Sequence, residues 1–288
     1  MVTVEFRQPS TWEDALAEKA AHPDAVPIAG GTDVMVELNF DLRRPPVLLD
    51  LTRVVALQDW SADNGVLRVG AGVTYRRVID ELGARLPGLA MASRTVGSPQ
   101  IRNRGTVGGN LGSASPAGDA HPPLLASAAT VEVASVRGVR RVPVGEFFTG
   151  PKRSVLAPDE LIAAVLVPPA DGPEQFAKVG TRNAMVIAVC SFAVALHPGR
   201  STVGTGIGSA APTPVPATAA EEFAAGALDW DSRGPLDAGV ARRFGELVAA
   251  AAAPIDDVRG SAAYRRHALA VLGARTLRWA WEEYARCG

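Results

Sequence analysis

The run Gly105-Thr106-Val107-Gly108-Gly109-Asn110-Leu111-Gly112-Ser113-Ala114-Ser115-Pro116-Ala117-Gly118-Asp119-Ala120 constrains this chain most. It holds five glycines, three hydroxyl side chains, one Asn and one Asp. It lacks the regularly spaced apolar residues with which a helix or strand buries a face, so it reads as a polar turn. Glycine admits positive φ and lets a ligand come close to the main chain, and successive backbone N–H groups in such a turn form a concavity that attracts anions. A second, shorter glycine turn lies upstream at Ala29-Gly30-Gly31-Thr32-Asp33-Val34. Together the two turns are expected to hold one large, phosphate-bearing cofactor.

The chain has 288 residues, room for roughly two domains on the usual length prior. Its 47% hydrophobic content suffices for packed cores, and a formal charge of -1 gives no nucleic-acid footprint. No stretch is long and apolar enough to span a membrane, and Met1–Phe6 shows no secretory leader, so the expectation is a cytoplasmic protein. Cys190 and Cys287 are far apart with no Cys-x-x-Cys, and His22, His121, His197 and His267 are scattered; neither set has metal-ligand spacing. No Gly-x-Ser-x-Gly and no Gly-x-x-x-x-Gly-Lys-Ser/Thr occurs, and no catalytic residue is assigned.

Along the chain, alternation over Val2–Phe6 predicts a strand, and Ser10-Thr11-Trp12-Glu13 a capping box opening a helix to Ala21. A short strand over Val26–Ala29 ends in Gly30-Gly31. A helix over Thr32–Phe40, with Val34, Met35 and Leu38 on one side, and a strand over Val47–Leu51 complete a β-α-β-α-β unit. A second unit has a strand over Val66–Ala71, a helix capped by Thr74 and running to Leu86, a polar segment over Ser93–Arg104, and the glycine-rich turn. There follow a buried helical stretch at Pro122–Ala128, strands over Thr130–Val136 and Arg140–Val144, and a strand over Leu161–Val167. Pro168-Pro169-Ala170-Asp171-Gly172-Pro173 is the best linker. Strands over Gln175–Val179, Met185–His197 and Ser201–Ser209 come next, and the remainder is helical, including Leu236–Ala253 and Ala262–Cys287.

Each candidate site has a plainer alternative. Ile28 to Val34 sets free amides at a helix start, an anion site, but one Gly-Gly turn serves structure equally well, and it is not the Gly-x-Gly-x-x-Gly of a Rossmann nucleotide site. The 105–120 run could offer amides at Gly108-Gly109-Asn110, side-chain bonds from Asn110 and Ser113, and an acceptor at Asp119; otherwise it is a polar loop or a helix start capped by Asp119. Lys178 could face an electron-rich ring oxygen or point outward from a half-exposed strand. The basic segment Arg259–His267 reads as a solvated helix face or a contact with an acidic partner.

Three separated segments, in order and with matching spacing, resemble one family. They are Ala29-Gly30-Gly31-Thr32-Asp33; Thr106-Val107-Gly108-Gly109-Asn110 with Ser115-Pro116 and Asp119; and Gly260-Ser261-Ala262-Ala263-Tyr264-Arg265-Arg266. The family is that of the FAD-binding medium subunits of molybdenum hydroxylases of the xanthine dehydrogenase and carbon monoxide dehydrogenase type. The resemblance implies an α+β protein. FAD-binding subdomains at 1–55 and 56–170, of the vanillyl-alcohol oxidase type, would clasp extended FAD, and a C-terminal α+β domain at 171–288 would close over them.

By the same resemblance, Pro27, Ile28, Ala29, Gly30, Gly31, Thr32, Asp33 and Val34 would wrap the FAD diphosphate from one side, and Thr106, Val107, Gly108, Gly109 and Asn110 from the other. Ser115 would also belong to the site, and Asp119 would sit on the adenosine side. Val96 and Ile162 would touch the cofactor through apolar surface or main chain, and Lys178 would approach the isoalloxazine ring, stabilising negative charge there. Pro214-Val215-Pro216-Ala217 departs from the family in carrying proline where arginine is common before the alanine, which should affect local helix capping. Electrons would arrive from iron–sulfur clusters on a small subunit, after oxidation of a substrate at molybdenum on a large molybdopterin subunit, and leave to NAD, dioxygen or another acceptor. The Thr32-Asp33 turn favours the purine and N-heterocycle branch. The alternatives are a stand-alone flavin oxidase of the same fold and a non-enzymatic binding module. The first is disfavoured because none of Tyr75, Tyr264 and Tyr284 stands beside the glycine motifs in sequence.

Overall fold

The computed structural model describes residues 4–287. Three groups of elements follow one another. The first contains β1 (Glu5–Arg7), α1 (Trp12–Ala21), β2 (Val26–Ile28), α2 (Val34–Asn39) and β3 (Val47–Asp50), its strands parallel in the order β1-β3-β2. Val2 and Thr3, the start of the expected first strand, lie outside the described residues. Thr11 rather than Ser10 caps α1, its Oγ1 accepting from Asp14 N at 3.1 Å. α2 has no fully buried side chain, so the apolar side expected from Val34, Met35 and Leu38 seats on no core.

The second group is β4 (Trp60–Asp63), β5 (Val66–Gly70), α3 (Tyr75–Glu81), α4 (Pro87–Thr95), α5 (Pro99–Arg104), α6 (Val107–Ser113), α7 (His121–Ala126), β6 (Thr130–Ser135), β7 (Gly138–Pro143), α8 (Val144–Phe147), β8 (Phe148–Gly150), β9 (Arg153–Ser154) and β10 (Leu161–Val167). Five of its strands form an antiparallel sheet in the order β4-β5-β10-β6-β7. β4 is absent from the sequence reading. Asn64 and Gly65, both at positive φ (48° and 78°), turn it into β5, an Asn-Gly hairpin signal that was present in the sequence. The polar segment from Ser93 to Arg104 is helical rather than irregular: Leu86 and Ser98 sit at N-cap positions, each followed by a proline at the start of α4 or α5.

The third group is β11 (Glu174–Val179), β12 (Cys190–His197), β13 (Thr202–Gly208), α9 (Thr218–Ala227), α10 (Ala238–Ala251) and α11 (Ala262–Arg286). Its strands are antiparallel in chain order. Met185 to Val189 precede β12 and belong to no strand, shortening the element expected from Met185. At the proline-bearing start of α9, Ala217 has no side-chain cap to offer; its N–H donates instead to Thr205 Oγ1 at 2.8 Å.

Burial joins these groups. One apolar core takes Ala15, Ala25, Val47 and Leu49 from the first group and Leu67, Val69, Val107, Leu111, Leu124, Val131 and Val165 from the second. A second core packs Phe192, Val194 and Leu196 of β12 against Phe244, Val248, Leu269 and Trp281. The opposite face of the third sheet, with Phe176, Ala193 and Ala195, meets Ala92 of α4 and Ala126 of α7. Here β13 has glycine at every second position. A Cβ at Gly204 would lie 2.0 Å from Ala126 O, and one at Gly206 would lie 2.1 Å from Pro122 O. The α7 backbone therefore rests directly on the strand.

Glycine has a similar use where α10 crosses α11. A Cβ on Gly245 would stand 2.1 Å from Ala270 O, whereas one on the exposed Gly226 of α9 meets nothing within 4 Å. Gly245→Ala is expected to destabilise the chain by about 1–3 kcal/mol through overpacking, and Gly226→Ala to stabilise it by about 0.5–1 kcal/mol through helix propensity. Chemical denaturation of both variants checks the opposite signs.

Candidate functional site

The two glycine segments meet face to face. Gly30 follows β2, and a Cβ there would lie 2.0 Å from Arg104 O, at the end of α5 just before the 105–120 run. Gly31 carries φ +75°. Between and beyond them opens a cavity of about 770 Å³. It is lined by Pro27, Ala29, Gly30, Gly31, Thr32, Asp33 and Val34 on one wall, and by Thr106, Gly108, Gly109, Asn110 and Ile162 on the other. Lys152 and Glu37 join across its rim at 2.7 Å.

The 105–120 run is not a turn throughout. Val107–Ser113 is helix α6, capped by Thr106 Oγ1, which accepts from Gly109 N at 2.9 Å. Val107 and Leu111, four residues apart, are fully buried and supply the apolar face the helix needs. Gly108 is required because a Cβ there would lie 2.4 Å from Ala71 Cβ, while Gly109 is exposed and meets only Thr106 Oγ1 at 3.0 Å.

This corrects the expected use of the second segment's amides. Val107 N donates to Val73 O, Gly108 N to Ala71 O, Gly109 N to Thr106 Oγ1 and Asn110 N to Thr106 O. Among the described residues, the amides of residues 29–33 have no such acceptor. The open backbone donors thus belong to the first loop, and the second wall offers bare glycine surface and the Asn110 side chain, whose Oδ1 is buried and unpartnered.

Asp119 and Lys178 are bonded to each other. Lys178 Nζ lies 2.6 Å from Asp119 Oδ2 and 3.2 Å from Thr95 O, and the pair is 7% and 8% exposed. Thr95 Oγ1 is 3.3 Å from the same carboxylate oxygen. Burial pushes the Asp119 carboxyl above the usual range, against the pull of Lys178. Two groups in direct contact cannot serve opposite ends of an extended dinucleotide, so the division that put Asp119 with adenosine and Lys178 with the ring does not fit this geometry. Lys178 instead lines a neighbouring cavity of about 420 Å³ with Arg94, Arg102 and Arg182.

The remaining expected residues are placed around this centre. Ile28 packs behind Gly31, its Cδ1 3.5 Å from the Cβ position there. Val96 is half-buried at the end of α4, its carbonyl accepting from Arg102 at 3.0 Å. Ser115 Oγ accepts from Ala117 N at 3.3 Å and shapes the bend before Asp119. Ile162 reaches α6, its Cδ1 3.7 Å from the Cβ position of Gly112. In the third motif, Ser261 caps α11, and buried Arg265 donates to Ser209 O at 3.1 Å and Asp257 Oδ1 at 2.5 Å. Arg265 is thus an anchor, while Arg259, Arg266 and His267 are exposed, as expected of a solvated basic face.

Two residues were missed. Tyr75 was passed over because it is distant from the glycines in sequence, yet its N–H donates to Gly105 O at 3.0 Å and it lines the large cavity. His121 is fully buried, with Nε2 3.2 Å from Asn110 O and its ring 4.5 Å from that of Phe148. It holds the C-terminal part of α6 in place, and only its neighbourhood to the glycine run could have flagged it.

Burial lowers the His121 pKa to about 4 from 6.5. With the folded value below the unfolded one, the unfolded chain binds this proton first, so stability is complete above pH 6.5 and declines as pH falls toward 4. The displacement corresponds to about 3 kcal/mol. His121→Gln retains a donor for Asn110 O but does not titrate. Denaturation between pH 7 and 4 should show a shallower loss of stability in the variant.

Comparison with known proteins agrees with this architecture. Residues 2–170 match the family described as FAD binding domain in molybdopterin dehydrogenase, and residues 175–280 match the CO dehydrogenase flavoprotein C-terminal domain. The chain is 32% identical to the xanthine dehydrogenase FAD-binding subunit of Escherichia coli O157:H7, over 94% of each chain. It is 31% identical to the nicotine 6-hydroxylase medium subunit of Paenarthrobacter nicotinovorans, over 95% of this chain and 96% of that one. The crystal structure of quinoline 2-oxidoreductase from Pseudomonas putida 86 has a chain that superposes with a TM-score of 0.90 at 27% identity, covering 98% of both. With both glycine segments meeting over one cavity and both family domains present in order, the chain belongs to the FAD-binding medium subunits of the xanthine dehydrogenase and CO dehydrogenase family.

Proposed function

We propose that this FAD-binding oxidoreductase chain is the electron-exit subunit of a cytoplasmic, heteromeric molybdenum hydroxylase. It would receive reducing equivalents from iron–sulfur clusters on a small partner and deliver them to NAD or another acceptor. The oxidised substrate, a purine or N-heterocycle, would bind a separate molybdopterin-containing large subunit. The relatives named for xanthine dehydrogenase and nicotine 6-hydroxylase support the N-heterocycle branch. Among the described residues, no helix is long and apolar enough to cross a membrane.

One observation carries this reading: two glycine walls enclose a large cavity that has open amides on one side and unpartnered buried polar atoms nearby. FAD fits it on chemical grounds. The unpartnered Asn110 Oδ1 is an acceptor for a hydroxyl or amine hydrogen of the ligand, and the open amides of residues 29–33 are donors suited to a diphosphate. When bound, FAD supplies the acceptance and release of electrons at its isoalloxazine ring. In this reading, Pro27–Val34 hold the diphosphate, Gly108 and Gly109 let it approach α6, and Ile162 lines the wall opposite the first loop, while Val96 and Ser115 stand outside the lining and shape the segments on either side of α6. Asp119 fixes Lys178, whose ammonium favours negative charge on the ring. The chain divides at 55/56 and 170/171, the first two units sharing one core.

A stand-alone oxidase would need a base beside the ring. Tyr75 is the nearest tyrosine to the glycine wall, but burial together with the carboxylates of Asp119 and Asp33 pushes its ionisation well above the ordinary range, so it does not serve as one.

Gly109 sits three residues after the Thr106 cap, where an acidic side chain suits a helix. Gly109→Asp should therefore fold normally yet weaken FAD binding at least about tenfold, 1.4 kcal/mol, by placing a negative charge against the diphosphate. Flavin fluorescence titration measures this. Co-purification from the native host tests the larger reading: molybdenum, iron and FAD should be found in one complex, and NAD should reoxidise its reduced flavin in stopped-flow absorbance. A purified complex that holds FAD but no molybdenum would overturn it.

A further inference from the structure

Tyr75 opens α3 directly after its cap, Thr74, and is 2% exposed. Its main chain is tied to the glycine-rich segment through Gly105 O. The ring packs against the same residue, with Cδ2 3.3 Å from the Cβ position of Gly105. Yet the hydroxyl at the end of that ring is buried and has no hydrogen-bond partner.

A buried phenol without a partner costs about 1–3 kcal/mol, and buried polar groups are otherwise nearly always paired. Three more of the unpartnered buried side-chain atoms lie along the adjoining run: Asn110 Oδ1, Asp119 Oδ1 and His121 Nδ1. Such atoms concentrate where a ligand completes the hydrogen bonding. Tyr75 lines the large cavity together with Gly105, Thr106 and Asn110. Tyr75 lies within electrostatic reach of Asp33 on the first loop and of Asp119 beyond the second. Burial, with the carboxylates of Asp119 and Asp33, keeps it protonated, and a protonated phenol donates.

We propose that Tyr75 is a cofactor-binding residue whose hydroxyl donates a hydrogen bond to an acceptor atom of bound FAD. The inference rests on family membership and on the cavity, and does not depend on which partner subunits or electron acceptor the chain serves. It gives an energetic signature that a purely structural tyrosine would not show. Without FAD the hydroxyl is a burden on the fold, and with FAD it is a contact. Removing it should help the empty protein and harm the complex.

The test uses the full chain, freed of flavin and titrated with FAD, as wild type and as Tyr75→Phe. The variant should bind FAD about 5- to 20-fold more weakly, the worth of one hydrogen bond. Its flavin-free form should unfold at the wild-type temperature or higher. FAD affinity within twofold of wild type would overturn the proposal. So would a flavin-free variant that unfolds at lower temperature or fails to fold, since the hydroxyl would then have an internal partner. A wild-type chain that binds no FAD would overturn both this assignment and the reading of the cavity as a flavin site, whereas a variant indistinguishable from a flavin-binding wild type would remove Tyr75 alone.

Discussion

Gly30 touches the carbonyl end of α5 so closely that a side chain of any size would force the two walls of the cavity apart. This main-chain contact joins the parallel sheet of the first group to the helices that precede the 105–120 run. The cavity exists only because that contact holds. Its floor is fixed by Gly108 on Ala71, its sides by the loop after β2 and by α6, and its depth by Ile162 on the bulged strand β10. Glycine is used here for close approach as much as for conformational freedom, with Gly31 the clear case of the latter.

Polar ties then carry the arrangement outward. Asp119 and Lys178 join the glycine-rich segment to β11 across a sequence distance of 59 residues. Breaking a buried pair of this kind leaves an uncompensated charge at a cost of several kcal/mol. A second line runs from Arg265 in α11 to Ser209 O, and from Ser209 N to Pro116 O at 2.8 Å. The C-terminal helices thereby reach the bend next to Asp119. Residues of the third group are thus part of how the second group's site is held.

Much of this could be read from the residues alone. Strand and helix order, the linker near 168–173, the cap at Thr74 and the importance of both glycine segments follow from periodicity and turn chemistry. The helical state of α6 did not, because the run reads as lacking spaced apolar residues, and one pair four apart, Val107 and Leu111, is a weak signal among glycines of poor helix propensity. That spacing and the cap at Thr106 won once tertiary burial was available. The open amides proved to lie on the shorter segment, since the longer one spends its own on Val73, Ala71 and Thr106. The meeting of Tyr75 with Gly105, and of Asp119 with Lys178, is tertiary information that no local pattern encodes.

The alternating glycines of β13 carry a mechanical consequence. With α7 lying backbone on backbone along Gly204 and Gly206, β13 and the helix that follows Asp119 have no compliant side chains at these two points of contact. Hinged opening of the C-terminal region would have to peel a helix from a strand. Ligand traffic is therefore left to the rim of the cavity, where the ion pairs of Glu37 with the exposed Lys152 and Arg43 are a far weaker fastening than the seam behind them.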